Sequence, residues 1–319
     1  MKKTYIIIVL YFVSSYCFCQ NKNVAITMDD MPFCTMPNKM TLQQIKQAQQ
    51  IDDTILSQIT RLQTPVAAFI IGDQCISANE TDLRLDILKS WLYNPYITVG
   101  NHTLHHLNHA ENDLDCFKEE VIVNDYLLKS FMKDSTIKYF RFPYNALGKD
   151  SISQKERADY LSKKGYTIAP FTIDADDWVI NILYKNELKK NNTKRADSIA
   201  RVYIKFTVDL FQYFEQLSQK LYGRNINQIL LCHANKLSAD YYTILINELK
   251  NKGYHFISLE DALKDKVFSQ PNYYFGKWGI SWIYRWIKDK QERNTLMKKE
   301  IDYDKKLYEE YQSLVGEKK

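Results

Sequence analysis

Five short segments carry the side chains of this sequence best suited to chemistry: Thr27-Met28-Asp29-Asp30, Gly100-Asn101-His102-Thr103-Leu104-His105-His106, Arg141-Phe142-Pro143-Tyr144, Asp174-Ala175-Asp176-Asp177-Trp178 and Leu231-Cys232-His233. Carboxylates and imidazoles hold borderline divalent cations and move protons near neutral pH. Alone, each segment has a plain structural reading. Adjacent Asp29 and Asp30 read as a polar strand end or turn. His102 and His106 lie four apart, a spacing that on one face of a helical turn brings two imidazoles to one cation; His105 and His109 share that spacing, so periodicity leaves both pairs open. Arg141, Asp177 and His233, taken singly, read as ion pairs or satisfied buried groups.

The elements that must carry these segments follow from apolar periodicity. Runs of β-forming residues at 24–28, 66–71, 96–99, 138–142, 166–171, 228–232 and 255–258 predict seven strands. Between them, segments such as 41–62 and 83–92 place apolar residues three and four apart, the amphipathic helix signature. Strands alternating with such helices predict an α/β chain of parallel β-α units, wound into a barrel or laid as an open sheet. In parallel α/β folds the reacting groups gather beyond the carboxyl ends of the strands, which is where the five segments fall. Residues 179–227 break the rhythm and predict an insertion of one or two extra helices, with Ile199, Tyr203, Phe206, Leu210, Phe214 and Leu217 on one face. After the last strand an aromatic segment includes Tyr273, Tyr274, Phe275, Trp278, Trp282, Tyr284 and Trp286. It is expected to pack over one barrel face, with a glycan-stacking platform as the alternative. The charged tail from Lys288 reads as a solvated helix. There is no internal repeat and no low-complexity linker.

Composition bounds the setting. Lys2 and Lys3 precede an apolar run over 5–18 that is too short to span a bilayer comfortably as a helix. Residues 1–19 therefore read as a secretory signal cleaved between Cys19 and Gln20, with a lipid-modified cysteine or an uncleaved anchor as the alternative. The expected location is periplasmic or extracellular, with no transmembrane segment in the mature chain. Removing those residues takes away two lysines and no acid, so the formal charge falls from +5 to +3. That balance weakly favours an anionic cell-surface partner and gives no support for nucleic acid, since no basic stripe is interleaved with aromatics. A chain of 319 residues is long enough for one large α/β core. Cys34, Cys75, Cys116 and Cys232 remain after cleavage, with no zinc-finger spacing; Cys34 and Cys75 follow neighbouring strands and are the candidate bridge.

Taken together, in this order and spacing, the five segments resemble the polysaccharide deacetylase family with the NodB homology domain, carbohydrate esterase family 4, over roughly residues 23–263. The resemblance implies a distorted TIM-like (β/α)7 barrel, here with a helical insertion before strand six and a C-terminal aromatic and helical extension. The expected layout is a signal peptide at 1–19, a deacetylase barrel at 20–270 holding the 179–227 insertion, and the extension at 271–319. The family's T-F-D-D motif falls on Thr27, Met28, Asp29 and Asp30, which makes Asp29 the general base and Asp30 a metal ligand. Its H-[S/T]-x-x-H motif falls on His102, Thr103 and His106 and so selects that pair as the other two ligands, leaving His105 and His109 as solvated or supporting groups. R-x-P-Y matches Arg141, Pro143 and Tyr144, with Arg141 expected to hold Asp29 and the Tyr144 backbone N–H to face the oxyanion. D-x-x-D-W matches Asp174, Asp177 and Trp178, and L-x-H matches Leu231 and His233, so that Asp177 orients His233 as general acid and Trp178 lies at the substrate. Three positions depart from the family pattern: Met28 for Phe, Asn145 where Gly is common, and Pro32 after Asp30-Met31. None removes a charged position, and the Asn145 change is the one expected to alter the substrate groove.

These residue types suit the implied reaction. Hydrolysis of an acetamide or acetate ester near neutral pH needs a nucleophile better than free water, and a dication supplies one by lowering the pKa of the water it holds. Two imidazoles and one carboxylate leave positions open, as a catalytic site requires; zinc is the first choice, and cobalt or nickel suit the same donors. The expected substrate is an acetylated glycan, an N-acetylglucosamine polymer ahead of acetylxylan. The alternatives are a related barrel hydrolysing a small or cyclic amide, and an exported, non-catalytic glycan-binding protein.

Overall fold

The computed structural model of the chain describes residues 22–32, 40–76, 80–132 and 136–316. The expected signal segment, its cleavage point and Cys34 lie outside the described residues. The described residues form eight strands: β1 (Lys22–Met31), β2 (Val66–Ile70), β3 (Ile97–Asn101), β4 (Tyr139–Phe140), β5 (Thr167–Ile168), β6 (Ile173–Asp174), β7 (Gln228–His233) and β8 (Tyr254–Phe256). Every pair is parallel and the path runs β5-β4-β3-β2-β1-β7-β6, while β8 pairs with the start of β1. Among the described residues β5 and β6 do not pair with each other, so the barrel stays open between the two strands that end this path: this is the distorted (β/α)7 barrel of the sequence reading. The strand expected over 166–171 is shortened to β5, and β6 follows beyond it as a strand the sequence reading did not predict. Pro170 has no N–H for a ladder, and the carbonyls of Ala169 and Pro170 instead accept hydrogen bonds from Arg141.

Period-two alternation sorts each strand between two faces. Ala25, Ala67, Phe69, Ile229 and Leu231 point inward with Tyr139, Ala169 and Phe171, and Leu259 and Ala262 join the same cluster. Val24, Ile26, Met28, Ala68, Ile70 and Leu230 point outward into a larger core beneath the helices. Those helices are α1 (Leu42–Leu62), α2 (Thr81–Leu92), α3 (Leu114–Phe131), α4 (Ser151–Lys163), α5 (Asp177–Lys189), α6 (Thr193–Tyr222), α7 (Lys236–Asn251), α8 (Leu259–Ala262), α9 (Trp282–Arg285), α10 (Lys290–Met297) and α11 (Lys305–Gly316). The start of α1 shows how local sequence sets them. Thr41 caps the Gln44 N–H while the Gln44 side chain returns to the Thr41 N–H, a capping box. Ile45, Ala48, Ile55 and Ile59 are then buried at helical spacing.

The 179–227 region, expected to hold one or two extra helices, holds two, α6 and most of α5. The α6 stripe Ile199, Tyr203, Phe206, Leu210, Phe214 and Leu217 is buried as read. Beyond β8 the aromatic segment divides. Trp282, Tyr284 and Trp286 are buried, whereas Phe275 and Trp278 are about half exposed. The tail from Lys288 is not the solvated helix that its charge suggests. Leu296, Tyr303 and Leu307 are buried, Tyr311 sets its ring edge against Trp178 at 5.9 Å, and α11 lies along α5. The reason is an apolar stripe, Leu307, Tyr311 and Leu314, hidden at helical spacing among charges. Cys75 is a buried free thiol whose S–H donates to the Ile71 carbonyl. Among the described residues no helix is long and apolar enough to cross a membrane.

Candidate active site

Strand parity and register already place two of the chemical groups. Asp29 follows Ala25 and Thr27 on the inner face of β1, and Asp29 is register partner to His233 on β7, so the two side chains meet at the carboxyl mouth of the barrel. Strict alternation sends Asp30 the other way. The β1–β2 register slips between Met28 and Met31, and Asp30 takes a left-handed backbone, φ 58°, a conformation Asp tolerates better than most residues. Such an irregularity re-aims a side chain, and it turns Asp30 into the same mouth as Asp29.

There the Asp30 Oδ1 lies 3.0 Å from His106 Nε2 and 3.3 Å from His102 Nε2. One ligand atom from each of Asp30, His102 and His106 lies within 4.8 Å of the others. Burial works to raise the Asp30 carboxyl, but His106 and His102, with His233 behind them, hold it well below the usual carboxylate range. The imidazoles do not converge through a helical turn. Residues 102–109 contain no helix; instead Thr103 and His106 adopt φ 71° and 56°, costly for a β-branched threonine. Local hydrogen bonds hold that shape: Asn101 Oδ1 accepts the Thr103 N–H, and Thr103 Oγ1 accepts the His106 N–H.

The donor set fits a divalent ion. His102 Nδ1 lies 2.8 Å from the Arg141 carbonyl, so it carries the proton and leaves the Nε2 lone pair facing Asp30, the outer-shell arrangement typical of metal-ligating histidine. Asp30 and His106 are partly exposed while His102 is buried, which keeps the cluster open on one side. The competing pair does not share a site. His105 Nδ1 is 2.6 Å from Glu120 Oε1. His109 is buried against Phe117, its ring nitrogens without hydrogen-bond partners among the described residues, and burial with nearby Arg157 pushes its pKa down to about 3.

Two ion pairs flank this cluster. Arg141, fully buried, spends all its donors: Nη1 on both oxygens of Asp29 at 3.2 and 3.3 Å, Nη2 on Thr27 Oγ1 and Pro170 O, Nε on Ala169 O. It thus fixes Asp29 and ties β1 to the connection between β5 and β6. On the other side the Asp177 carboxylate accepts from His233 Nδ1 at 2.7 Å, the His233 N–H at 3.0 Å and Asn235 Nδ2 at 2.7 Å. Burial works to lower the His233 pKa, yet Asp177, helped by Asp30 and Asp29, raises it to about 10. His233 Nε2 then faces Asp30 Oδ2 at 3.9 Å.

A cleft of about 380 Å³ joins these groups to Tyr144, Trp178, Leu231 and Gly279. The Tyr144 ring sits on the His106 ring with centroids 4.5 Å apart. The Asn145 and Ala146 N–H groups bond back to Phe142 and Pro143, while the Tyr144 N–H donates no hydrogen bond among the described residues. Asp174 lines the cleft too, its pKa pushed to about 8 by burial and by Asp176. Sequence reasoning gave no role to Asn235 or Gly279, and none to Asn101 beyond its place in the histidine segment. Asn235 had a local signal, since it is also the α7 N-cap, accepting the Ser238 N–H, and so had Asn101, which accepts the Thr103 N–H two residues on; Gly279 acts through contacts that no spacing reveals.

Comparison with known proteins agrees with this architecture. A family model described as polysaccharide deacetylase matches residues 19–168. Among solved structures, a mutant of BA3943, a CE4 family pseudoenzyme of Bacillus anthracis, with restored enzymatic activity is 15% identical with TM-score 0.50, over 76% of this chain and 68% of that one. The Bc1960 peptidoglycan N-acetylglucosamine deacetylase is 18% identical with TM-score 0.49, over 76% and 88%. A family 4 carbohydrate esterase from Bacillus anthracis is 18% identical with TM-score 0.46, over 76% and 83%. At 15% identity the likeness to the first of these concerns the fold alone. No curated protein matches.

Proposed function

We propose, on the match of residues 19–168 to the polysaccharide deacetylase family model together with the site geometry, that this chain is an exported, metal-dependent hydrolase of that family that removes acetyl groups from a glycan. One observation carries the reading: two opposed ion pairs, Asp29–Arg141 and Asp177–His233, flank the Asp30–His102–His106 cluster at one mouth of the barrel. A protein that only binds sugar has no use for a held base facing a charged acid.

A divalent ion held by Asp30, His102 and His106, zinc by preference and cobalt or nickel as substitutes, supplies Lewis acidity and lowers the pKa of water. Asp29, oriented by Arg141, takes the proton from the attacking water. The Tyr144 N–H donates to the oxygen on which negative charge develops. His233, kept protonated by Asp177, gives its Nε2 proton to the departing nitrogen or oxygen. Trp178 and Leu231 wall the acetyl group. An N-acetylglucosamine polymer is the favoured substrate, with acetylxylan second. Residues 20–270 form the catalytic barrel, with 271–319 as an extension and 1–19 as the export signal. The similarity to a pseudoenzyme makes activity the decisive test: acetate release from acetylated chito-oligosaccharides, peptidoglycan fragments and acetylxylan, with zinc added or chelated. Zinc-dependent release from at least one of them is expected; none from any refutes the proposal.

A further inference from the structure

Asn145 departs from the glycine common after the R-x-P-Y motif, and the structure gives it work at a distance. Its Nδ2 donates to the Ile280 carbonyl at 3.0 Å, its Oδ1 accepts from Trp282 Nε1 at 3.2 Å, and its backbone carbonyl accepts from Arg285 Nη2 at 2.6 Å. The Gly279 N–H bonds to the Tyr144 carbonyl at 2.9 Å. Gly279 must be glycine, because a Cβ there would overlap Asn145 Cβ and Tyr144 O. The same short segment grips the open seam of the barrel: Trp282 N–H to Phe171 O, and Ser281 Oγ to Thr172 O.

Arg285 sharpens the point. It is fully buried, and among the described residues no carboxylate pairs with it; burial pulls its pKa down to about 10. An unpaired buried cation is costly, and Arg285 is compensated in part by the Tyr274 and Trp282 rings and the carbonyls of Asn145 and Ile280, while its Nη1 has no hydrogen-bond partner among the described residues. Packing alone is served by an apolar residue at that point, whereas the guanidinium also donates to the carbonyl next to Tyr144.

We infer that the segment 279–285, which lies beyond the family match, is part of the active site, and that Asn145 is a positioning residue through which it fixes the direction of the Tyr144 N–H. This rests on the hydrolase reading, in which that N–H faces the oxyanion. The left-handed backbone of Tyr144 and Asn145, φ 54° and 49°, is thereby held from outside the loop, and the two bonds to Ile280 and Trp282 are the ones a glycine at 145 has no side chain to make.

The test uses the full-length chain with Asn145→Ala, Trp282→Phe and the double variant, each compared for zinc content, kcat, KM and amide exchange of the 142–147 region. Each single variant is expected to lose kcat by about tenfold to a hundredfold with KM and zinc content nearly unchanged. Exchange over 142–147 is expected to rise roughly fivefold, while the β1 and β7 regions stay as they were. The double variant should be no worse than the poorer single, because both cut the same link. Unchanged exchange over 142–147, or raised exchange with kcat intact, overturns the positioning role, as does additivity. If the wild-type chain releases no acetate from any substrate, the hydrolase reading itself falls and this role with it; the exchange data still report whether the segment holds the loop.

Discussion

Replacing Asp177 by Asn tests the acid half of the site without touching the metal ligands. The carboxylate accepts three donors, two from His233 and one from Asn235, and an amide has one oxygen to offer them. In either orientation its NH2 group faces a donor, so the variant loses the ion pair and strands at least one buried N–H. His233 keeps its proton to about pH 10 in the folded chain against an ordinary 6.5, a gap of about 4–5 kcal/mol at about 1.4 kcal/mol per pH unit. Folding therefore takes up a proton between those values. The stability from the pair is complete below about pH 6.5 and drains away as pH rises through about 10. For metal-chelated protein, Asp177→Asn is expected to cost about 3–5 kcal/mol at pH 6 and clearly less at pH 10.5, read from urea denaturation. With zinc restored, kcat is expected to fall roughly 10²- to 10⁴-fold, with its upper pH limb moved to lower pH. A wild-type-to-variant stability difference that stays flat from pH 6 to 10.5, or a variant with unaltered kcat, refutes the reasoning.

Asp29→Asn should abolish turnover, by roughly 10²- to 10⁴-fold in kcat, while metal titration by calorimetry shows zinc still bound; near-normal activity removes Asp29 as the base. His106→Ala should weaken zinc binding by at least about a hundredfold, since losing an outer-shell partner alone costs 10–100-fold, whereas His105→Ala should leave it unchanged; the reverse order assigns the wrong pair. Glu300, with its pKa raised to about 7 by burial and by Asp176 and Asp302, keeps its proton in the fold above the ordinary 4.5, so its favourable share is complete below pH 4.5 and is lost as pH rises through 7. Glu300→Gln should accordingly match the wild type at pH 4.5 and exceed it by about 1–3 kcal/mol at pH 8.5; a difference independent of pH counts against it.

Much of this was legible in the chain because it is local. The α6 stripe at helical spacing predicts its buried face, and the β-forming runs predict strands whose carboxyl ends carry the five polar segments. Parity even allows Asp29 to share the inner face of β1 with Ala25 and Thr27. The tail was misread for a local reason too: three apolar positions at helical spacing were outweighed by the surrounding lysines and glutamates, and burial followed the stripe.

By itself the sequence determined which groups exist and at which strand ends they stand: two carboxylates, two imidazoles, an arginine, and a later Asp–His pair. Only the tertiary structure decided that they meet. Alternation separates Asp29 from Asp30, and a register slip with a left-handed residue reunites them. Helical spacing suggested how His102 and His106 converge, and two left-handed residues outside any helix accomplish it. Nothing near Asn145 announces Ile280, Trp282 or Arg285, more than a hundred positions away. Periodicity encodes which face of an element is apolar; positive-φ turns, register slips and contacts between distant segments are settled by packing, where the gain is shared among many residues and written in no single motif.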